Sequence, residues 1–227
     1  MNQHIKKVYV PMTETAFFIL LCLRKPNHGY GIVQMVEKLT EGAIKLTPGT
    51  LYGSLSKMEK DNIQNLLLET GRRIVQEKGT EALTVRKLSE ASGCSVGAIY
   101  NQFSNMDNFI VIQNYMTLDK LSKLLEKVQK TDDAFADMNN FLHTFVDFVL
   151  ENKNLWFMLH SFHLRNNNRS FSYIYLRKVV KITGLINELL QRLVPNMERP
   201  ERILSSQILW LTLFAVSSFL TSSCKAS

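Results

Sequence analysis

The segment Leu83–Phe109, LTVRKLSEASGCSVGAIYNQFSNMDNF, constrains the fold more than any other stretch of this chain. It reads as two short helices around a tight turn. Thr84 is placed to cap the first helix, whose buried side is expected at Val85, Leu88 and Ala91. Gly93 falls where the chain must turn sharply, a position that often needs a positive φ. Ser95 is placed to cap the second helix, and Ile99 and Phe103, four apart, pin it to the first. Val96, Ala98, Tyr100, Asn101 and Gln102 are left on its outer side. Helix, turn and recognition helix is the arrangement that lays side chains along a DNA major groove. The plain alternative is a helical core pair with no DNA role.

At these residues the segment resembles the DNA-binding signature of the TetR family. The LTV start, the Gly-Cys-Ser turn, the Gly-Ala-Ile-Tyr core and the closing Phe all fit it. So do a preceding helix, expected at Asn62–Lys78, and the long helix that follows. Gln102 stands where that family usually carries His, and Met106 where a Lys usually begins the next helix. The resemblance implies an all-α fold with a helical ligand-binding and dimerisation domain behind the DNA-binding head.

Residues 11–61 carry a second pattern. Thr13–Arg24 is an apolar helix that must stop before Pro26. His28-Gly29-Tyr30-Gly31 is a turn entering a second helix, with Ile32, Val33, Val36 and Leu39 at helical spacing. Thr47-Pro48 reads as a cap followed by Pro at the first helical position. The third helix buries Leu51, Leu55 and Met58. The HGYG turn and LTPGTLYGSLSKMEKD resemble the winged-helix domain of PadR-type regulators. That resemblance places Thr50, Tyr52, Gly53 and Ser56 along a second candidate DNA-reading helix. No alternating strand pattern and no Asn-Gly or Asp-Gly turn follows Asp61, so the wing is expected to be missing. Asp61-x-x-Gln64 is placed to cap a new helix directly at the junction. Three units result: a wingless PadR-like module at 11–61, a helix-turn-helix domain at 62–108, and a helical core at 109–227.

Composition narrows the function class. The chain of 227 residues carries a formal net charge of +7. Residues 1–110 hold 13 basic and 10 acidic side chains, and residues 111–227 hold 14 and 10. This is the balance of a regulator with locally placed basic residues, not of a basic tail. Three cysteines without metal spacing argue against a disulfide scaffold. Cys22 lies in an apolar helix, Cys224 near the end, and Cys94 is a small apolar filler of the turn or a redox reporter on it. Lys6 and Lys7 precede an apolar run with no small-residue cleavage site, so no signal peptide is read. Ile203–Leu220 is eighteen residues without charge, but its four serines, Thr and Gln suit a helix buried between subunits better than one in lipid. A cytoplasmic protein, not a membrane one, is expected. No phosphate-cradling Gly loop, HExxH, G-x-S-x-G or C-x-x-C is present, so neither an enzyme nor a cofactor is expected.

Beyond the head, helices are expected at Asp107–Val128, Asp132–Glu151, Leu155–Arg165, Phe171–Val194 and Pro200–Ser223, with a polar loop at Asn166–Arg169. The TetR resemblance makes the last two a four-helix dimer interface, and the apolar run Ile208–Leu213 favours it independently. Phe141, Phe145, Trp156, Phe157, His160 and Phe162 form an aromatic set suited to a small-molecule pocket, or to an ordinary core. His160 and His163, three apart, lack a third ligand in register, so no metal site is read.

The expectation is therefore a homodimeric repressor of double-stranded DNA, released by a small lipophilic or aromatic inducer. Thr84, Arg86, Tyr100 and Gln102 are assigned to phosphates. Ser95, Val96, Ala98 and Asn101 are assigned to bases, with Asn101 able to read adenine bidentately. The paired recognition helices would enter successive major grooves about 34 Å apart. Two rivals remain: a protein-interaction scaffold using the upstream module, and a constitutive DNA binder with a fully packed core.

Overall fold

The computed structural model describes residues 13–24, 26–165 and 169–222, the side chains of 163–175, 220 and 222 excepted. Lys6, Lys7, Cys224, the His163 side chain and residues 166–168 of the expected polar loop lie outside the described set. The described chain runs α1 (Glu14–Cys22), α2 (Gly29–Leu39), α3 (Pro48–Lys78), a 3-10 turn (Thr80–Ala82), α4 (Val85–Ser92), α5 (Val96–Phe103) and α6 (Met106–Glu126). It continues with α7 (Ala134–Glu151), α8 (Lys153–Arg165), α9 (Arg169–Leu193) and α10 (Arg199–Ser222). No strand occurs among the described residues, so the all-α expectation stands and no wing follows the upstream module.

Local chemistry explains most helix starts. Side-chain oxygens of Thr13, Thr47, Thr84, Ser95 and Asn105 each accept a backbone N–H three residues on, at 2.7–3.2 Å. These bonds satisfy donors that a helix start leaves orphaned. Gly93 ends α4 in the left-handed region at φ 72°, where a Cβ would be strained.

The expected helix boundary at Asn62 is not there. α3 is one helix of 31 residues, and at 1.5 Å per residue it spans about 46 Å. Asp61 and Gln64 sit inside it and cap nothing; Gln64 is buried. The reason is tertiary. Asp and Asn are only weak helix formers, a cost of about 0.5 kcal/mol each, and packing holds both halves helical. Upstream, Leu51 is buried against α1 and α2 in a small core with Ile19, Cys22, Ile32, Val36 and Leu46, and Leu55 and Met58 pack on it. Downstream, Leu67, Leu68 and Ile74 join Leu88, Ile99, Phe103 and Phe109 in the core of the head. The first residue that turns the chain is Gly79, at φ 78°. Another correction concerns Ala91, expected on the buried face of α4: it is exposed, and Leu88 is that helix's buried residue.

Behind the head, α6 to α10 enclose a larger core built on Leu118, Leu121, Phe141, Phe145, Phe148, Trp156 and Trp210. Phe135, at the start of α7, is largely exposed. Head and core are joined closely. Gly71 lies so near the Phe109 ring that a Cβ would overlap it, so α3 and α6 touch there almost backbone to ring. Gln113 donates to the Leu68 carbonyl at 2.6 Å, Arg72 donates to Thr117 Oγ1 at 3.1 Å, and Asn154 donates to the Gln76 carbonyl at 2.8 Å.

Two carboxylates tie α9 to its neighbours. Asp119 on α6 is paired with Lys178 on α9 and, at 2.8 Å, with Lys123. Asp137 on α7 takes hydrogen bonds from Arg192 on α9 and from the N–H and hydroxyl of Thr131. Burial pushes the Asp119 carboxyl up, but the bonds from Lys123 and Lys178 outweigh it and hold the group below the ordinary carboxylate value. The Arg192 bond, with those from Thr131, does the same for Asp137 against its own desolvation. A depressed native value means the charged form is the stabilised one. The contribution is complete above the unfolded value near 3.9 and is lost as pH falls through the lower native values. Asp137→Asn should therefore lower the melting temperature at pH 7, and the gap to the parent should narrow progressively in melts taken at falling pH below about 3.9. A gap that stays constant across that range would contradict the assignment.

Candidate nucleic-acid interface

α5 is only eight residues long, so its orientation depends on packing. Ile99 and Phe103 are buried against α4 and α6, and the Phe103 ring meets the Phe109 ring edge-on with centroids 4.8 Å apart. That leaves Val96, Tyr100 and Asn101 exposed on the opposite side, with Ala98 half-buried between the faces. Tyr100 is 46% exposed, and an exposed phenol is suited to a phosphate oxygen. Thr84 and Ser95 are exposed, and their oxygens accept the capping N–H groups. Their hydroxyl protons are still able to donate. Arg86 is exposed and pairs with Glu90 at 3.0 Å, one helical turn on.

Gln102 departs from its expected role. Its Nε2 donates to the Lys60 carbonyl of α3 at 3.1 Å, so the side chain fastens the recognition helix to α3 and does not reach outward to a phosphate. The bond joins residues 42 apart in sequence, and nothing local to NQF points to it.

In the upstream module, Thr50, Tyr52, Gly53 and Ser56 are all exposed along α3. The Tyr52 hydroxyl leans toward Gly29, where a Cβ would come within 2.9 Å of it. The HGYG turn thus makes room for the Tyr52 side chain.

The aromatic set of the core is packed largely on itself. Trp156 meets Phe145, Phe148 and Phe214 at centroid distances of 5.7, 6.2 and 5.7 Å, and its indole N–H donates to Ser217 Oγ at 2.8 Å. His160 stacks on Phe214 at 3.8 Å. Phe141, Phe145 and Phe162 are buried and Phe157 is half-buried. Of these six expected pocket residues, Phe141 alone lines the described cavity of about 340 Å³. That cavity lies between the end of α6, the start of α7 and the second half of α9, with Leu125, Gln129, Lys130, Leu185 and Glu188 in its wall. These residues come from separate helices and the loop after α6, and no spacing in the sequence brings them together. Sequence reasoning also missed Asn114 on α6. It is fully buried, and neither its amide oxygen nor its amide nitrogen finds a hydrogen-bond partner among the described residues.

Two short helices around a left-handed glycine, the second with a polar outer face and the whole set on a helical core, define a helix-turn-helix regulator. Residues 67–111 match the family model of bacterial regulatory proteins of the tetR family, and residues 19–80 match the transcriptional regulator PadR-like family. The chain thus carries a TetR-family head preceded by a PadR-like module, and the two matches overlap within α3. No curated protein is similar enough to this chain to count as a relative. Solved structures share the fold at low identity. A TetR family transcriptional regulator, PfmR, from Thermus thermophilus is 17% identical, with a TM-score of 0.52 over 69% of this chain and 94% of its own. The fatty acid degradation regulator FadR from Bacillus halodurans is also 17% identical, with a TM-score of 0.53 over 72% and 86%. A protein of unknown function from Rhodococcus is 13% identical, with a TM-score of 0.58 over 71% and 84%.

Proposed function

We propose that this chain is a cytoplasmic, homodimeric transcriptional repressor whose grip on operator DNA is released by a small lipophilic or aromatic ligand. The observation that carries the DNA-binding part is α5 itself. Its apolar side is buried while Val96, Tyr100 and Asn101 face out, and the exposed Thr84 and Arg86 stand at the start of the neighbouring helix. Tyr100, Thr84 and Arg86 hold phosphates, and Ser95, Val96, Ala98 and Asn101 meet the bases. Dimerisation rests on the apolar face of the last two helices, where Leu176, Val180, Leu204, Ile208 and Leu211 are exposed in the single chain. By length and composition alone Arg199–Phe219 is apolar enough to cross a membrane. Its continuity with the apolar residues of α9 favours a second copy of the chain as the cover.

Ligand release is supported by Asn114. Burying an amide without partners costs about 1–3 kcal/mol by mutational measures, and a ligand offering a matched donor and acceptor would remove that cost. A ligand that fits only one spacing of the two heads would shift the population and free the operator.

The experiment is selection of binding sequences from a random duplex pool, followed by affinities on the selected sites. Tyr100→Phe should weaken all sites about equally, by roughly 1 kcal/mol. Asn101→Ala should flatten the preference among sites. A Tyr100→Phe protein that changes its site preference at unchanged affinity would contradict the assignment, and failure to enrich any sequence would remove the repressor reading.

A further inference from the structure

The recognition helix is gripped by two different parts of the chain. At its start Ser95 caps it, and Ser89 Oγ on α4 donates to the Cys94 carbonyl just ahead of it at 2.7 Å. At its end the Asn108 amide donates to the Phe103 carbonyl at 3.1 Å. All of these groups lie within residues 67–111, the segment that matches the tetR family model. The remaining grip does not. Gln102 donates to the Lys60 carbonyl, in a part of α3 that only the PadR-like match covers.

What holds Lys60 in place is the upstream module. Between Pro48 and Lys60 the apolar side chains that anchor α3 are Leu51, Leu55 and Met58, and all three pack in the core that α1 and α2 supply. Ile63 is the first residue of α3 that packs in the core of the head. The stretch around Lys60 is poor in helix formers, with Gly49, Gly53, Ser54, Ser56, Asp61 and Asn62. Helix starts fray, because their first N–H groups have no partner within the helix. An α3 that began at Asn62 would leave the Lys60 carbonyl outside it, with no fixed position. α5 has only eight residues, too few to hold their own shape, so its aim follows whatever grips it.

We infer that the upstream module sets the aim of the recognition helix from within the protein, and that Gln102 is the positioning residue through which it acts. Packing in the module keeps Lys60 helical, and the Lys60 carbonyl holds Gln102. Gln102 follows Asn101 directly, so its hold fixes how the outward side chains of α5 are presented. The module is thereby a second control on operator affinity, separate from the ligand proposed for the core: whatever loosens α1 and α2 loosens the grip on DNA. The consequence for DNA rests on α5 binding it as proposed above, but the brace between α3 and α5 does not.

The test is hydrogen–deuterium exchange on the full chain without DNA, read by mass spectrometry on peptides from α2, α5 and α6. Gln102→Leu removes the donor and should speed exchange of the α5 amides about fivefold, the share of one neutral hydrogen bond, while α6 exchanges as in the parent. Val36→Asp places a carboxylate at a wholly buried position in the module core, on a helix that carries none of the DNA-binding side chains assigned above. It should free α2 and speed α5 at least as much. The double variant should exchange in α5 no faster than Val36→Asp alone, because both changes act on one bond. On a selected operator each single variant should bind about fivefold more weakly and the double no worse than Val36→Asp. If Val36→Asp gives no soluble protein, Ile32→Ala opens a cavity in the same core and takes its place. Parent-like exchange in α5 while α2 exchanges freely would overturn the inference, since α3 would then hold Lys60 unaided. Additive effects in the double variant would overturn the route through Gln102. So would a Gln102→Leu protein that binds DNA more weakly with α5 exchange unchanged, because Gln102 would then act on the DNA itself. If the exchange pattern holds and the parent binds no duplex, the brace stands and the DNA-binding reading fails.

Discussion

Leu211→Glu is expected to turn the protein into a monomer and to weaken binding to a selected operator at least a hundredfold. Leu211 is 63% exposed in the single chain, and Leu204 and Ile208 precede it at spacings of four and three on the same face of α10. A two-fold interface uses the same patch twice, so one substitution places two carboxylates in it. The lost burial is about 1.5–3 kcal/mol per leucine, and the desolvation of each unpaired charge adds several kcal/mol more. Because the residue is exposed in the protomer, the fold of each chain should survive, which circular dichroism would verify. Operator binding falls because a monomer offers one head to a paired site. Light scattering on the eluting peak gives the mass directly. A variant that still elutes at twice the chain mass would remove this face from the interface and with it the proposed architecture.

Trp156→Ala should cost about 3–5 kcal/mol of folding free energy, the range for a large aromatic cut out of a packed core. Trp156 is wholly buried, touches rings from α7 and α10, and hydrogen-bonds Ser217 on α10. The damage should not stay in the core. Leu155 and Met158, beside Trp156 on α8, pack on Val75 of α3, and Asn154 holds the Gln76 carbonyl. Urea unfolding followed by helicity and by DNA binding should therefore show both signals lost at the same lowered midpoint. Trp156→Phe should cost far less, about 1 kcal/mol for the lost hydrogen bond, because Ser217 Oγ also donates to the Phe214 carbonyl. If the head keeps binding DNA in urea after the core of Trp156→Ala has melted, head and core are independent folding units.

The two expectations are legible in the sequence to different degrees. Thr47, Thr84 and Ser95 could be recognised as caps because a cap needs only a side-chain oxygen and an N–H three residues on. The exposed face of α5 followed from the spacing of Ile99 and Phe103, whereas Thr50, Tyr52, Gly53 and Ser56 were placed along α3 by the PadR resemblance alone. The aromatic pocket was read from composition along α7 and α8. Its rings are packed largely against each other, and the described cavity opens where the ends of α6 and α9 meet the start of α7.

The junction between the modules shows where local reading ends. Asp61-x-x-Gln64 has the form of a helix start, and locally nothing contradicts it. α3 runs through it because leucines and a methionine on one side bind α1 and α2, while leucines on the other bind α4 to α6. Each cluster stabilises its half by more than the weak helix preference of Asp61 and Asn62 can undo. Periodicity and capping, which act within a turn or two, determined the helices, the helix-turn-helix and the outward side chains of α5. Which helix Gln102 would grip, which lysine and arginine Asp119 and Asp137 would hold, and whether Asn62 began a helix or continued one were decided only by tertiary structure. Each of those depends on groups tens of residues apart, whose meeting is set by the packing of whole helices.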